Sequence, residues 1–249
     1  LSRLLERIVP PEPEPRGIQP EFLDDFFLEQ PAMALDQVHR ELLRLGGIVR
    51  GMVGRSMKVV TEGTEDDATS LARVDDDVDA LYEEIIRFLG KLSQRNLVTP
   101  QPQQLSNYIA IANYLENIGD VLKRDLMDVL RKRVARRLTI SPATRDILVP
   151  LNHEVCEAFD KALAALESGD AADAVDAIES KGTVNSLADE ATTHIAKRLV
   201  ADEPDRLENF QIETDIIEHL RRVNTYTRRI ARLSLGSQED EDVEAGSIP

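Results

Sequence analysis

The feature that most constrains this chain is the spacing of its apolar residues, which recur every three or four positions in long runs. The clearest run contains Leu71, Val74, Val78, Leu81, Ile85, Phe88 and Leu92. This spacing places the apolar side chains on one face of an α-helix, and that face must be buried against other helices. Six such segments follow one another, separated by Gly63, Pro100, Pro102, Ser141-Pro142, Gly169 and Pro204. The sequence therefore predicts an all-α protein with six long helices.

The composition excludes several other classes of protein. The 249 residues include 30 basic and 46 acidic side chains, a net charge of −16, which argues against a general nucleic-acid binder. Aromatic residues make up only 4% of the chain and there is no Trp, which is unlike an all-β sandwich or barrel. The single cysteine, Cys156, excludes an intramolecular disulfide and a Cys-rich zinc site.

An internal repeat divides the helical region into two halves. Residues 61–84 align without a gap on residues 167–190. The shared landmarks are Gly63 with Gly169, Val78 with Val184, Leu81 with Leu187 and Glu84 with Glu190. We therefore predict two tandem antiparallel three-helix bundles, a first repeat at 32–140 and a second at 141–235.

The two ends of the chain differ from the helical region. Residues 1–31 contain six prolines, and we expect a short segment followed by an extended Pro-rich linker. Residues 236–249 carry five acidic and no basic side chains, which predicts a disordered acidic tail. No stretch approaches the roughly 18 consecutive apolar residues of a membrane-spanning helix.

Two pairs of acidic residues are the candidate site. Asp75 and Asp79 are four apart on the second helix, and Glu116 and Asp120 are four apart on the third. Residues four apart share a helix face, and both pairs flank the apolar seam of their helix at matching positions. We therefore expect both pairs to lie along the same groove between the two helices.

The register of the hairpin brings the two pairs together. Asp75 faces Asp120, and Asp79 faces Glu116, if the turn between the helices is centred within residues 95–100. The helical pattern breaks in that stretch. We therefore expect the four carboxylates to converge at one level of the hairpin.

Carboxylates so placed repel one another unless a cation lies between them. Ligation by carboxylates alone suits hard cations such as Mg²⁺, Mn²⁺, Ca²⁺ or iron, so a divalent metal ion is the expected cofactor. Three alternatives stay open: a solvated acidic face, salt bridges with arginines of another helix, and a carboxyl that stays protonated. A catalytic role is not expected, because no nucleophile, base or Gly-rich phosphate loop accompanies the acids.

The corresponding positions of the second half carry different side chains. They are Lys181, Asn185, Arg221 and Thr225, and they keep the same hairpin register about a turn beside Pro204. A second cation site is not expected where the charge is lost or reversed. An anion site using Lys181 and Arg221 is the alternative to a simple loss of function.

These features resemble the PhoU family, whose members are duplicated three-helix bundles with paired Glu/Asp-x-x-x-Asp motifs. The matching stretches here are Asp75–Asp79 (DDDVD) and Ala112–Asp120 (ANYLENIGD). The resemblance implies that these motifs bind divalent metal ions, iron among them. It extends only to Asp75, Asp79, Glu116 and Asp120, because the second half departs from the motif.

The flanking stretches Pro20–Leu35, Glu41–Gly46 and Asn209–Leu233 are similar to the cytoplasmic C-terminal PhoU-like domain of bacterial sodium/phosphate cotransporters. That resemblance implies that Leu1–Val9 follows the last membrane helix, and that the domain lies on the cytoplasmic side of the inner membrane. Its implied partner is the membrane half of its own chain, with inorganic phosphate as the transported species. Homo-oligomerisation is left open.

The resulting expectation is a regulatory or interaction domain of a sodium-dependent phosphate transporter rather than an enzyme. Two alternatives remain. One is a free-standing PhoU-type regulator that acts on a phosphate permease and a sensor kinase. The other is a helical adaptor that binds no metal.

Overall fold

The computed structural model describes residues 18–199 and 205–235. Within them there is no β-strand, and six long helices follow a 3₁₀ turn at Asp25–Glu29. The helices are α1 (Pro31–Glu62), α2 (Glu65–Leu92), α3 (Gln101–Asp120, continuing through Val121–Leu126 and Met127–Arg136), α4 (Pro142–Ser168), α5 (Ala171–Leu199) and α6 (Arg206–Ser234). The predicted all-α class with six long helices is confirmed. The expected segment before residue 18 and the expected acidic tail at 236–249 lie outside the described residues.

The helix ends follow from local capping chemistry. Thr64 caps α2 by accepting a hydrogen bond from the Asp67 backbone N–H, and the Asp67 carboxylate accepts one from the Thr64 N–H in return. Ser141 caps α4 by accepting a hydrogen bond from the Thr144 backbone N–H, with Pro142 at the first helical position. Gly169 ends α4 with a φ of 70°, a left-handed conformation that glycine adopts without strain.

Helix α3 contains a feature that the apolar spacing does not reveal. Its segment Val121–Leu126 is a π-helix, in which each backbone N–H bonds one residue further back than in an α-helix. The segment starts directly after Asp120. A π-helical turn rotates the residues that follow it around the helix axis, so it decides which neighbours those side chains reach.

The buried apolar residues of the two three-helix bundles form one continuous core. In the first repeat, α1 contributes Leu42, Leu45 and Val49, all without exposed surface. In the second repeat, α5 packs closely against α4 and α6 through small buried residues: Ala174, Ala177, Ala188 and Ala191. The two bundles lie side by side, joined by contacts of α1 with α4 and of α3 with α6.

Polar contacts align the two bundles with each other. The Arg50 guanidinium on α1 donates two hydrogen bonds of 2.7 Å to the carboxylate of Asp160 on α4. Planar, two-point pairing of this kind fixes orientation as well as distance. On the other side, Arg222 of α6 lies 2.5 Å from the carboxylate of Asp125, which belongs to the π-helical segment of α3.

Residues 18–30, which we expected to be part of an extended linker, lie along the first bundle. The backbone N–H groups of Glu21 and Phe22 donate hydrogen bonds of 2.9 and 2.7 Å to the carboxylate of Glu41. Glu41 has no exposed surface, and its other oxygen lies 2.7 Å from Arg44. A fully buried carboxylate therefore attaches the lead-in to α1.

Replacing Glu41 by Ala should loosen this lead-in, because two backbone donors lose their charged acceptor. We expect a loss of about 2 to 3 kcal/mol in the free energy of unfolding and faster proteolytic cleavage within residues 18–30. The exposed Asp36, paired to Arg40 one helical turn away, is the control, and Asp36→Asn should change stability little. Equal effects of the two substitutions would contradict the anchoring role.

Candidate functional site

The α2–α3 hairpin has the register that the acid pairs require. The Tyr82 hydroxyl of α2 donates a 2.8 Å hydrogen bond to the side-chain oxygen of Asn113 on α3. Tyr82 and Asn113 lie equally far along the chain before and after the turn centre. The same turn centre pairs Asp75 with Asp120, and Asp79 with Glu116. The four predicted acids are therefore brought to one level of the hairpin.

Asp75 is the innermost of the four, with no exposed surface. Its place opposite α3 depends on Gly119, because a Cβ at that position would lie 2.8 Å from Asp75 Oδ1 and 3.3 Å from a methyl group of Val78. Neither carboxylate oxygen of Asp75 has a well-aligned hydrogen bond within the described part of the chain. Such a carboxylate loses its hydration without well-aligned hydrogen bonds to replace it, so a nearby positive charge has to offset the cost.

The charge that faces Asp75 comes from Lys123, in the π-helical segment of α3. Its ammonium nitrogen lies 2.7 Å from Asp75 Oδ2, and 3.3 Å from an oxygen of both Asp76 and Asp79. Contact with Asp75 is the main cause that raises the pKa of Lys123 above its usual range, with Asp79 adding to it. Lys123 is thus held as an ammonium ion among three carboxylates of α2.

Glu116 and Asp120 form a second part of the cluster. Burial raises the pKa of Glu116, and the charges of Asp120 and Asp79 and a hydrogen bond with Asp120 raise it further. Arg124, 3.1 Å from Asp120 Oδ1, opposes that rise. Burial likewise raises the pKa of Asp75, against the effect of Lys123. The raised pKa values of Asp75 and Glu116 mean that full ionisation of all the carboxyl groups in the cluster is disfavoured.

As the side chains stand, these acids do not form a coordination shell for a metal ion. No three His, Cys, Asp or Glu side chains within residues 18–199 and 205–235 are grouped closely enough to hold one. Lys123 instead contacts two of them, Asp75 and Asp79, and also the neighbouring Asp76. The metal site at Asp75, Asp79, Glu116 and Asp120 stays a prediction. The arrangement shown is a salt-bridge cluster, but its cation is a lysine of α3 and not the arginine that the salt-bridge alternative expected.

Two participants are not among the residues that sequence reasoning selected. Asp76 contacts Lys123 from the exposed side of α2, and Lys123 itself lies three residues beyond Asp120. In a chain of net charge −16, a basic residue one helical turn after an acid pair indicates a counter-charge for that pair. The π-helical turn that presents Lys123 to α2 has no comparable signal in the sequence.

The corresponding positions of the second repeat form no acidic cluster. Arg221 lies 2.5 Å from Asp189 and 3.5 Å from Glu218. The Thr225 hydroxyl donates to the Arg221 carbonyl, and Lys181 and Asn185 are exposed. Because the Arg221 guanidinium already contacts two carboxylates, this arrangement gives no support to the anion-site alternative.

A comparison with known protein families matches both repeats. The PhoU domain model fits residues 42–129 and again residues 149–234. The chain belongs to the PhoU family. Each match covers most of one three-helix bundle, so the duplicated architecture is that of the family.

Solved PhoU structures share this fold. The crystal structure of PhoU from Pseudomonas aeruginosa superposes with a TM-score of 0.74 at 19% identity, covering 81% of this chain and 95% of that one. The phosphate transport system regulatory protein PhoU from Streptococcus pneumoniae gives 0.73 at 15% identity, covering 85% of this chain and 100% of that one. At these identities the similarity shows the fold alone.

Two curated relatives have names that refer to phosphate export or phosphate transport. The protein named "Putative inorganic phosphate export protein YjbB" from Salmonella typhimurium is 26% identical over 247 residues, 99% of this chain and 45% of that protein. A PhoU homolog from Clostridium acetobutylicum, named as a phosphate-specific transport system accessory protein, is 31% identical over 81 residues, 32% of this chain and 36% of that protein. The chain thus spans about half the length of the YjbB proteins it matches.

Substituting Gly119 by Ala tests the close approach of α2 and α3. The added methyl group would overlap the buried carboxylate of Asp75, so we expect a loss of about 1 to 3 kcal/mol in the free energy of unfolding. At Gly51, on α1, an added Cβ would have nothing within 4 Å, and Gly51→Ala should stabilise by about 0.5 to 1 kcal/mol through helix propensity. Chemical denaturation measures both, and a stabilising Gly119→Ala would contradict the packing described here.

The raised pKa of Glu116 predicts a pH dependence of stability. Its folded-state pKa lies above its unfolded value, so the folded protein takes up the proton first. The contribution of Glu116 to the free energy of unfolding should therefore increase as the pH falls from 7 through the folded pKa, and level off below the unfolded value. Glu116→Gln should remove that part of the slope in denaturation curves, whereas Glu179→Gln, at an exposed site on α5, should not.

Proposed function

We propose that this chain is a PhoU-type regulatory or accessory protein of phosphate transport. The observation that carries the proposal is the match of both repeats to the PhoU domain, together with a fold that covers nearly all of two solved PhoU proteins. One of those proteins is described as a phosphate transport system regulatory protein, and one curated relative as an accessory protein of such a system. The proposed role is regulation by binding, with no catalysis.

Of the sequence-based alternatives, the free-standing PhoU-type regulator has more support than a domain of a sodium-dependent transporter. Both solved neighbours are PhoU proteins matched over 95% and 100% of their length. Neither those proteins nor the curated relatives described above are named for sodium coupling. On the support of these two matches, we propose a phosphate permease and its sensor kinase as the partners. No helix in the described ranges has the length and apolar character to cross a bilayer, which is compatible with either alternative.

A second candidate has one specific observation in its favour. Nearly the whole chain aligns with 45% of a protein named for inorganic phosphate export. In this alternative the chain regulates phosphate efflux rather than uptake, from the cytoplasmic side of the inner membrane. The membrane part of an exporter would then be its partner.

In either case the chain acts by favouring one conformation of its partner. A regulator shifts a conformational equilibrium only if it binds the two states with different affinities. The lead-in at residues 18–30 is relevant to such coupling, since the Ile18 backbone N–H donates a 3.0 Å hydrogen bond to Asp77, next to the acid cluster. The lead-in is thereby joined to α2 beside the acid cluster.

The test is phosphate flux in cells that lack the gene for this chain. In cells that have the gene, uptake of radiolabelled phosphate should decline when external phosphate is raised. We expect that decline to be absent in the deletion cells, because their transport is no longer regulated by phosphate supply. Resupplying that gene should restore the decline, and a gene carrying the conservative surface variant Asp36→Asn should restore it equally.

Efflux from preloaded cells, measured in parallel, separates the two candidates. A defect confined to efflux favours the exporter alternative, and a defect in uptake favours the permease alternative. If deletion changes neither uptake nor efflux across the phosphate range, the proposed function is wrong.

A further inference from the structure

One end of the molecule brings together the turn between α1 and α2, the last turn of α3 and the first turn of α6. The Arg133 guanidinium of α3 donates a hydrogen bond to the carbonyl of Gly63, in the turn between α1 and α2. Arg136, also on α3, lies 3.5 Å from the carboxylate of Glu208 on α6. The two repeats therefore meet at this end through the last turn of α3.

The last turn of α5 reaches the same end, together with two exposed leucines. The Arg206 guanidinium of α6 donates a 2.8 Å hydrogen bond to the backbone carbonyl of Arg198 on α5. Leu199 is the last residue of α5, and Leu207 lies in the first turn of α6. Because Leu199 and Leu207 are 38% and 58% exposed, apolar surface is left uncovered at this end.

Basic side chains that form no ion pair are concentrated at this end. Within the described part of the chain they belong to α1, α3, the residue after α3, and α5: Arg55, Lys58, Arg131, Arg133, Arg137 and Lys197. Elsewhere in the described ranges, Arg73 on α2 also has no ion pair, and Arg229 lies over the ring of Tyr114. Together with Leu199 and Leu207, the side chains of this set form what we call the basic end.

Two acidic side chains beside the basic end are already paired. Asp128 lies 2.7 Å from Lys132, and Glu208 lies 3.5 Å from Arg136. The acidic first turn of α2, at residues 65–67, belongs to a helix that contacts no helix of the second repeat among the described residues. Since α5 contacts only α4 and α6, the acidic turn and the cation of α5 lie at opposite edges of the molecule.

Helix dipoles explain only part of this pattern. Arg133 and Lys197 lie in the last turns of their helices, where a cation stabilises the helix C-terminus. The last turn of α1 contains no basic residue, and Arg55 and Lys58 are exposed further back along that helix. The dipoles also give no role to exposed leucines. Accessible cations combined with exposed apolar side chains are instead typical of a surface that binds an anionic membrane.

We propose that the basic end docks onto an anionic lipid bilayer. The negative surface potential of such a bilayer attracts lysine and arginine side chains, and apolar side chains enter the boundary between headgroups and acyl chains. Arg137 and Lys197 contact lipid phosphates in this arrangement, and Leu199 and Leu207 enter the boundary. Charge and apolar contact together give the two signals that stable membrane attachment needs.

The charge of the remainder of the chain fixes the orientation of the docked protein. The chain has a net charge of −16, and exposed acids such as Asp24, Glu167 and Asp170 lie at the opposite end of the helices. Repulsion from anionic lipid keeps that end away from the bilayer, so the helices stand on their basic end. A regulator docked in this way is held beside any transport protein in the same membrane.

The experiment measures co-sedimentation of the purified protein with vesicles at low salt. We expect binding to vesicles of phosphatidylglycerol mixed with phosphatidylcholine and little binding to phosphatidylcholine alone, and salt should weaken the binding. Arg137→Gln combined with Lys197→Gln should weaken it about tenfold or more. Leu207→Ser should weaken it severalfold. Asp205→Asn should strengthen it, because it removes an exposed acid directly before α6 and asparagine accepts the left-handed backbone there.

The matched controls make the same changes at the opposite end. Arg40 and Arg87 have side chains that are 59% and 53% exposed. Arg40→Gln combined with Arg87→Gln gives the same net charge as the basic-end double variant, and it should bind vesicles as the parent protein does. Val98, 66% exposed between α2 and α3, is the counterpart of Leu207, so Val98→Ser should also bind as the parent does.

A second double variant covers the case in which Arg137→Gln lowers the melting temperature. Arg131→Gln combined with Lys197→Gln changes two exposed side chains inside helices, and it should weaken vesicle binding by about the same tenfold. If this variant binds as tightly as the control double variant, the basic end is not the docking surface and the proposal fails.

Three results would overturn the proposal. The parent protein could fail to bind vesicles that contain phosphatidylglycerol, or the basic-end and control variants could bind alike. Alternatively, the basic-end variants could abolish regulation of phosphate flux in cells while the parent protein binds no vesicles. The surface would then serve an acidic protein partner rather than lipid. The flux measurements do not depend on vesicle binding, so failure of this proposal and failure of the proposed function are distinguishable.

Discussion

The architecture depends on the burial of α1, whose apolar face is needed by both repeats. Leu42, Leu45 and Val49 have no exposed surface, and α1 contacts α2 and α3 as well as α4 of the other bundle. Burial of apolar area is the main favourable contribution to folding, so a helix shared by two bundles stabilises both. In the second bundle α4 is the helix that contacts α1, and α5 and α6 pack against α4 and against each other.

The acid cluster can exist because that frame is rigid. A fully buried aspartate is unfavourable unless its surroundings compensate it, and the hairpin of α2 and α3 supplies the compensation. Gly119 lets the helices approach, and the π-helical turn brings Lys123 to Asp75. The stability of the two bundles thus maintains a local arrangement that would not persist in an isolated hairpin.

The two repeats have the same fold and different electrostatics. The first concentrates carboxylates around an internal lysine, whereas the second places Arg221 beside Asp189 and Glu218 at the corresponding level. The duplicated fold is thus compatible with two different arrangements of charge at the same level of the hairpin. The contacts of Asp125 with α6 connect the two, since they start from the same helical segment as Lys123.

Much of this protein follows from the sequence alone. The three-to-four spacing and the breaks at Ser141-Pro142 and Gly169 predict six helices, and the break within residues 95–100 predicts the register of α2 against α3, because these features depend on neighbours along the chain. The tertiary structure alone decided that Asp75 is fully buried, that Lys123 faces it, and that residues 18–30 are attached through Glu41. Burial is set by helices distant in sequence, and the direction of Lys123 by a π-helical turn. No local spacing encodes either, because both arise only when helices pack together.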